Sequence, residues 1–227
     1  MIGVVIPTLN EARYLPGLLD DLSRLGRAVP LDVVVADGGS SDATAAAALR
    51  GGARVIALAP GRGRQLNAGA ATVRGSWLLF LHADSRLPAE GRRALLAAVV
   101  DEPGLAAGVF GFAIELPAPW KRFIEWGQAL RERLYHLPYG DQGLLIRRDV
   151  FQAVGGYPDI PVMEDVAMVR ALRKRGVVIH RLPAALVTSG RRYRARGVVR
   201  TWLGNALLIG LYLLGVSPQR LARWRAA

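Results

Sequence analysis

The chain has 227 residues, 52% of them apolar, and contains no cysteine. That size suits one domain with a large core, and the lack of thiols excludes a disulfide scaffold, a thiolate metal site and a cysteine nucleophile. The net charge of +12 is unevenly placed: residues 1–165 hold 17 basic and all 18 acidic side chains, whereas residues 166–227 hold 13 basic side chains and no acidic one. The positive charge therefore belongs to the tail and points to phosphates, whether of a nucleotide, a lipid head group or a nucleic acid.

Residues 2–6 form a short apolar run that ends at Pro7. Asn10 is placed to cap a helix from about Glu11 to Leu25, with Leu15, Leu18, Leu19 and Leu22 on one face. Residues 31–36 predict a second strand, which runs into the polar stretch DGGSSDAT at residues 37–44. Ser41 or Asp42 is placed to cap a second helix through Arg50. Residues 53–57 predict a third strand, and GRGRQLNAGAATVRG a loop and helix. Residues 76–81 predict a fourth strand, followed by HADS, and Pro88 suits the first turn of another helix. Strands alternating with helices indicate a mostly parallel, Rossmann-like sheet with helices on both faces. The continuously apolar strands fit burial on both sides.

In such a sheet, ligands bind beyond the carboxyl ends of the strands. Thr8, Asn10 and Glu11 follow the first strand, Asp37 the second, and His82 and Asp84 the fourth, so all are expected at one edge. Gly38 and Gly39 let a ligand approach the backbone closely. Plainer roles exist: Asp42 as a helix cap, Asn10 and Glu11 as a helix start, and Asp84 as a turn residue.

The stretches VVIPTLNEARYLPGLL, DVVVADGGSSDAT, GRGRQLNAG and WLLFLHADS, taken in that order, resemble the nucleotide half of a family-2 glycosyltransferase with the GT-A fold. GLLIRRDVFQAVGGYPDIPVMEDVAMVRALRKRG resembles the acceptor half. The run VTSGRRYRARGVVRTWL, with LGVSPQRLAR after it, further resembles the branch associated with arsenosugar biosynthesis. The resemblance implies a metal-dependent inverting transferase that moves a sugar from a nucleotide diphosphate, with a bias to uridine, onto a hydroxyl or phosphate acceptor, lipid-linked or small. It divides the chain into residues 1–87 for the nucleotide, 88–190 for the acceptor, and a basic, apolar helical tail at 191–227.

The resemblance also implies roles. Pro7, Thr8, Asn10, Glu11, Asp37, Gly38, Arg64, Asn67, His82, Ala83 and Asp84 would bind the nucleotide sugar, with Asp37 on the uracil or ribose edge. The family places D-x-D at the end of the fourth strand to hold Mg²⁺ or Mn²⁺ on the diphosphate. Here the triplet is His82-Ala83-Asp84, so Asp84 is the expected metal ligand. His82 either joins it, which favours Mn²⁺, or hydrogen-bonds the ribose. Asp165 would be the base that removes the acceptor proton in a single displacement, and Glu164 would orient it or contact the acceptor. Acids also stabilise helix N-termini, which is the structural alternative. Asp141 and Gln142, in YGDQG, suit sugar or acceptor hydroxyls, and Arg191 and Arg192 suit the diphosphate.

Other chemistries fit less well. GRG does not follow the first strand and lacks the third glycine of a dinucleotide fingerprint. Ser40, Ser41 and Ser189 lack a nucleophile elbow. His136 and His180 have no partner at metal-ligand spacing. A sugar-phosphate nucleotidyltransferase needs a glycine-rich basic loop after the first strand, where PTLNEA stands. A non-catalytic phosphate-binding or nucleic-acid-binding module leaves Asp37, Asp84 and Asp165 without purpose, and no nucleic-acid partner is expected.

The first residues do not resemble a signal peptide, so a cytoplasmic protein is expected. Residues 201–219 carry no charge and have arginines on both flanks. That pattern suits a helix lying in an anionic membrane surface at the inner face of the cell membrane. A buried helix that closes the acceptor site is the alternative.

Overall fold

The computed structural model describes residues 1–102, 104–135 and 140–226. In chain order the elements are β1 (Ile2–Thr8), α1 (Leu15–Gly26), β2 (Leu31–Asp37), α2 (Thr44–Arg50), β3 (Arg54–Ala57), α3 (Arg62–Thr72), β4 (Trp77–Phe80), β5 (Ser85–Arg86) and α4 (Ala89–Val100). Then come β6 (Ala107–Glu115), α5 (Ala118–Tyr135), a short 3-10 turn at Gly140–Gln142, β7 (Leu144–Arg147), α6 (Arg148–Ala153), α7 (Glu164–Lys174) and β8 (Ile179–Ser189). Three helices close the described chain: α8 (Arg191–Arg196), α9 (Val198–Leu213) and α10 (Pro218–Ala226).

The strands make one sheet in the order β3-β2-β1-β4-β7-β6-β8-β5. The half built from β1 to β4 is parallel, as the strand–helix alternation predicts. Beyond β4 the sheet is mixed: β7 runs antiparallel to β4 and β6, β5 runs antiparallel to β8, and β6 and β8 are parallel.

Side chains alternate across the sheet, so β1 feeds two cores. Ile2, Val4 and Ile6 pack with the leucines of α1 and with Leu95 of α4. Val5 packs on the other face with Leu66 of α3, Phe80, Phe151, Tyr157 and Met168. Both faces of the parallel half are thus covered, which is why its strands read as unbroken apolar runs.

Two helix starts differ from expectation: α1 begins at Leu15, later than Glu11, and α2 has Ala43, not Ser41 or Asp42, at its cap position. Asn10 adopts a left-handed backbone, φ 57°, which asparagine tolerates. Its side-chain oxygen accepts the Ser41 N–H at 2.9 Å and the Ser41 hydroxyl at 3.2 Å. Asn10 therefore joins two loops instead of capping α1. Asp42 accepts the Thr44 N–H at 2.9 Å as α2 starts, and its other oxygen accepts the Ala12 N–H at 3.2 Å. One carboxylate serves the helix and the loop.

Candidate active site

The edge of the sheet where β1, β2 and β4 end collects three linked clusters. The first surrounds Asp37, which is buried. Its oxygens accept the Thr8 hydroxyl at 2.9 Å, the Ser40 hydroxyl at 2.5 Å and the Ser40 N–H at 3.0 Å. Burial works to raise its pKa, but these hydrogen bonds outweigh it and hold the carboxyl below its ordinary value. Asp37 is thus a fixed anion at a strand tip. Gln65 of α3 donates to the carbonyls of Thr8, at 2.9 Å, and Ala36, at 2.7 Å. A Cβ on Gly38 would lie 3.1 Å from that amide, so the small residue lets the brace pack against the loop.

The second cluster centres on Arg191, at the start of α8. Its guanidinium hydrogen-bonds Oε1 of Glu11, lies 3.2 Å from Oδ2 of Asp84 and stands 4.6 Å over the Tyr14 ring. The backbone supports this approach, because Ser189 N–H donates to the Asp84 carbonyl at 3.1 Å. Burial works against the charge on Arg191, but the bond to Glu11 and the nearby Asp84 more than restore it. The second oxygen of Glu11 is buried without a hydrogen-bond partner among the described residues.

The third cluster joins the sheet edge to α7. Arg62 of α3 places Nε 3.1 Å from Oε1 of Glu164, which is buried, while another guanidinium nitrogen contacts Nε2 of His82. Burial, then the positive charges of Arg62, Arg192 and Arg191, hold His82 well below its usual pKa, so its imidazole is neutral. Asp165 follows Glu164 in the first turn of α7, and its Oδ1 accepts the Val166 N–H at 2.8 Å. Met163, just before the pair, adopts a left-handed backbone with φ 68°, an uncommon conformation for a residue other than glycine. The buried Tyr157 lies near both acids; burial and then their negative charge push its phenol upward, so it stays protonated.

Residues 3–155 match the model of glycosyl transferase family 2. The chain belongs to this family. As a family-2 member it is 31% identical, over 173 residues, to the PGL/p-HBAD biosynthesis glycosyltransferase of Mycobacterium bovis; the match covers 69% of this chain and 63% of the relative. The chain thus spans less than two thirds of that relative's length. It is 32% identical over 92 residues to glucosyl-3-phosphoglycerate synthase of Mycobacterium tuberculosis, covering 37% of this chain and 28% of the synthase. Its fold matches that synthase crystallised with Mn²⁺, UDP-glucose and phosphoglyceric acid, with TM-score 0.61, 19% identity and coverage of 83% of this chain and 71% of the other. It also matches S. aureus TarS residues 1–349, with TM-score 0.64, 19% identity and coverage of 83% and 60%. This family-2 chain therefore has the GT-A fold.

Within this family-2 member the remaining expected residues take varied places. Pro7 lies in β1, beside Ala36 of β2. Ala83 is buried in the core beneath α1 and α4, between His82 and Asp84. Asn67 exchanges two hydrogen bonds with the Tyr157 backbone, at 2.7 and 2.9 Å, so its amide clamps α3 to the loop before α7. Arg64 is exposed and pairs with Asp159 at 3.2 Å; the α3 arginine that touches His82 is Arg62. Gln142 is fully buried and donates to the Phe110 carbonyl of β6 at 3.1 Å. Asp141 sits beside it in the 3-10 turn. Arg192 adjoins Arg191 and adds to the positive field on His82. His136 lies outside the described residues. Arg62, Gln65 and Tyr157 were not anticipated from sequence. The signal for Arg62 was in GRGR, where two arginines two positions apart on a helix face nearly opposite ways.

Proposed function

We propose that this protein is an inverting, metal-dependent glycosyltransferase that takes a sugar from a nucleotide diphosphate, preferentially uridine diphosphate, and passes it to a hydroxyl or phosphate acceptor. The observation that carries the reading is Arg191 bridging Glu11 and Asp84 at the sheet edge that also holds Asp37, with Arg62 linking that edge to Glu164, the neighbour of Asp165 in α7. This arrangement supports a reading in which donor binding and the acceptor base work at one edge of the sheet.

Asp37 is an acceptor for the N–H of a base or the hydroxyls of a ribose. Arg191 and Arg192 supply donors for diphosphate oxygens, a role in which a guanidinium is well shaped. The same groups oppose the negative charge that grows on the diphosphate as the glycosidic bond breaks. Asp84 offers a hard oxygen and Glu11 a second, buried one. Among the described residues no three His, Cys, Asp or Glu side chains gather to hold a metal by themselves. That donor set fits Mg²⁺ or Mn²⁺ held largely by the donor's phosphates and water. When bound, the cation would add charge neutralisation at the leaving group. His82 turns Nε2 towards Arg62, which favours an orienting role over metal ligation.

Asp165 accepts the proton of the acceptor oxygen as that oxygen attacks the anomeric carbon from the face opposite the diphosphate. Glu164, tied to Arg62, holds the first turn of α7 against the donor half. UDP-glucose and phosphoglyceric acid in the synthase crystal concern that protein, and here they support the donor class only. Incubating the full chain with a panel of nucleotide sugars and Mg²⁺ or Mn²⁺, and following release of nucleoside diphosphate, tests the reading. Release from a UDP-sugar supports it. Failure of every nucleotide sugar to bind or turn over would overturn it.

A further inference from the structure

We infer that the outer face of α9 is a docking surface for an anionic lipid bilayer, on which the helix lies flat. Helix α9 is apolar on opposite sides for two reasons. Its inner side packs on the protein: Trp202 meets Phe123 of α5 at a ring separation of 5.3 Å, and Gly127 of α5 approaches so closely that a Cβ there would lie 2.7 Å from the Trp202 ring. Tyr212 and Leu213 pack on Val166 and Val169 of α7, and Arg170 lies over the Tyr212 ring.

The outer side faces outward along its whole length. Val199, Leu203, Ala206, Leu207, Gly210 and Leu214 fall at helical spacing on one stripe. Leu203 is 54% exposed, Leu207 63% and Leu214 84%. No charged residue interrupts these positions. Trp120 and Trp126 of the neighbouring α5 and Trp224 of α10 are also exposed, and such rings suit a membrane–water interface.

Charge decides the occupant. Arg196 and Arg200 stand at the amino end of the stripe, Arg220 and Arg223 beyond its carboxyl end, and no acid occurs from residue 166 onward. A second copy docked on this face would bring two uncompensated basic segments together. A surface of anionic lipid neutralises them while it takes up the leucines. With 16 residues, α9 is about 24 Å long, short of the roughly 30 Å hydrocarbon core. No helix among the described residues is long and apolar enough to cross a membrane, which agrees with a helix lying in the surface plane.

The test uses the full chain and sedimentation with vesicles of phosphatidylcholine alone or with added phosphatidylglycerol. Binding to the anionic vesicles should exceed that to neutral ones by about tenfold or more, and salt should reverse it only in part. Leu203→Gln with Leu207→Gln should remove the salt-resistant part, with an unchanged melting profile because both side chains are exposed. Arg196→Gln with Arg200→Gln should flatten the salt dependence instead. Equal absence from both vesicle types would overturn the inference. So would a wild-type dimer that the leucine variants split, since the face would then belong to a second copy. Donor binding measured in parallel without vesicles reports on the transferase reading independently.

Discussion

Arg62 Nε lies 3.1 Å from Oε1 of the buried Glu164, and the same guanidinium contacts His82. A buried carboxylate needs a cation or several hydrogen bonds to remain ionised. Here the cation comes from α3, the helix after β3, so a residue of α3 fixes the first turn of α7. Arg62→Gln should lower stability by about 1–3 kcal/mol and reduce turnover sharply, whereas Arg64→Gln should leave both near wild type. Denaturant melts and sugar-transfer rates on the two variants check this. Equal effects would show that the bridge has no special role.

Asp84 lies 3.2 Å from Arg191 and is the metal ligand we propose. Asp84→Ala should abolish metal-stimulated nucleotide binding and transfer while the melting transition persists. His82→Asp would replace the imidazole that faces Arg62 with a second hard oxygen donor two residues from Asp84, restoring D-x-D, and should tighten Mg²⁺ binding, read by titration calorimetry with nucleoside diphosphate present. An unchanged metal profile in His82→Asp would place residue 82 away from the ion.

Asp165→Asn keeps the side-chain shape and removes the proton acceptor. Transfer should fall by about two to four orders of magnitude with donor affinity near normal. Loss of donor binding instead would make Asp165 a donor ligand and move the search for a base to Asp141.

His82 is held neutral in the fold, chiefly by burial and then by Arg62. In the unfolded chain a histidine takes up a proton below about pH 6.5. Its contribution to stability is therefore complete above that pH and is lost as pH falls from there towards the folded pKa, with a slope of at most about 1.4 kcal/mol per pH unit. His82→Asn should flatten the loss of stability between about pH 7 and pH 5. Parallel curves for the two proteins would show that His82 does not titrate differently on folding.

The sequence by itself determined the parallel half of the sheet and the residues at its edge. Apolar runs, their spacing and the polar stretches after them are local properties, so Asp37, His82 and Asp84 could be placed at strand ends without coordinates. Local pattern also located the Glu164–Asp165 start of α7. Tertiary structure decided the rest. Asn10 looked like a cap because its neighbours are helical in pattern; only the nearby Ser41 loop explains its left-handed backbone. Arg62 and Arg64 are alike in sequence, and the orientation of α3 on the sheet selects the one that meets His82. Arg191 reaches Glu11 because β8 pairs with β5 directly after Asp84, a pairing that no local period encodes. The apolar residues of α9 likewise look equivalent in sequence, and packing on α5 and α7 covers one side while leaving the other exposed. Periodicity reports which residues share a face, but which face meets which neighbour depends on contacts between segments far apart in the chain.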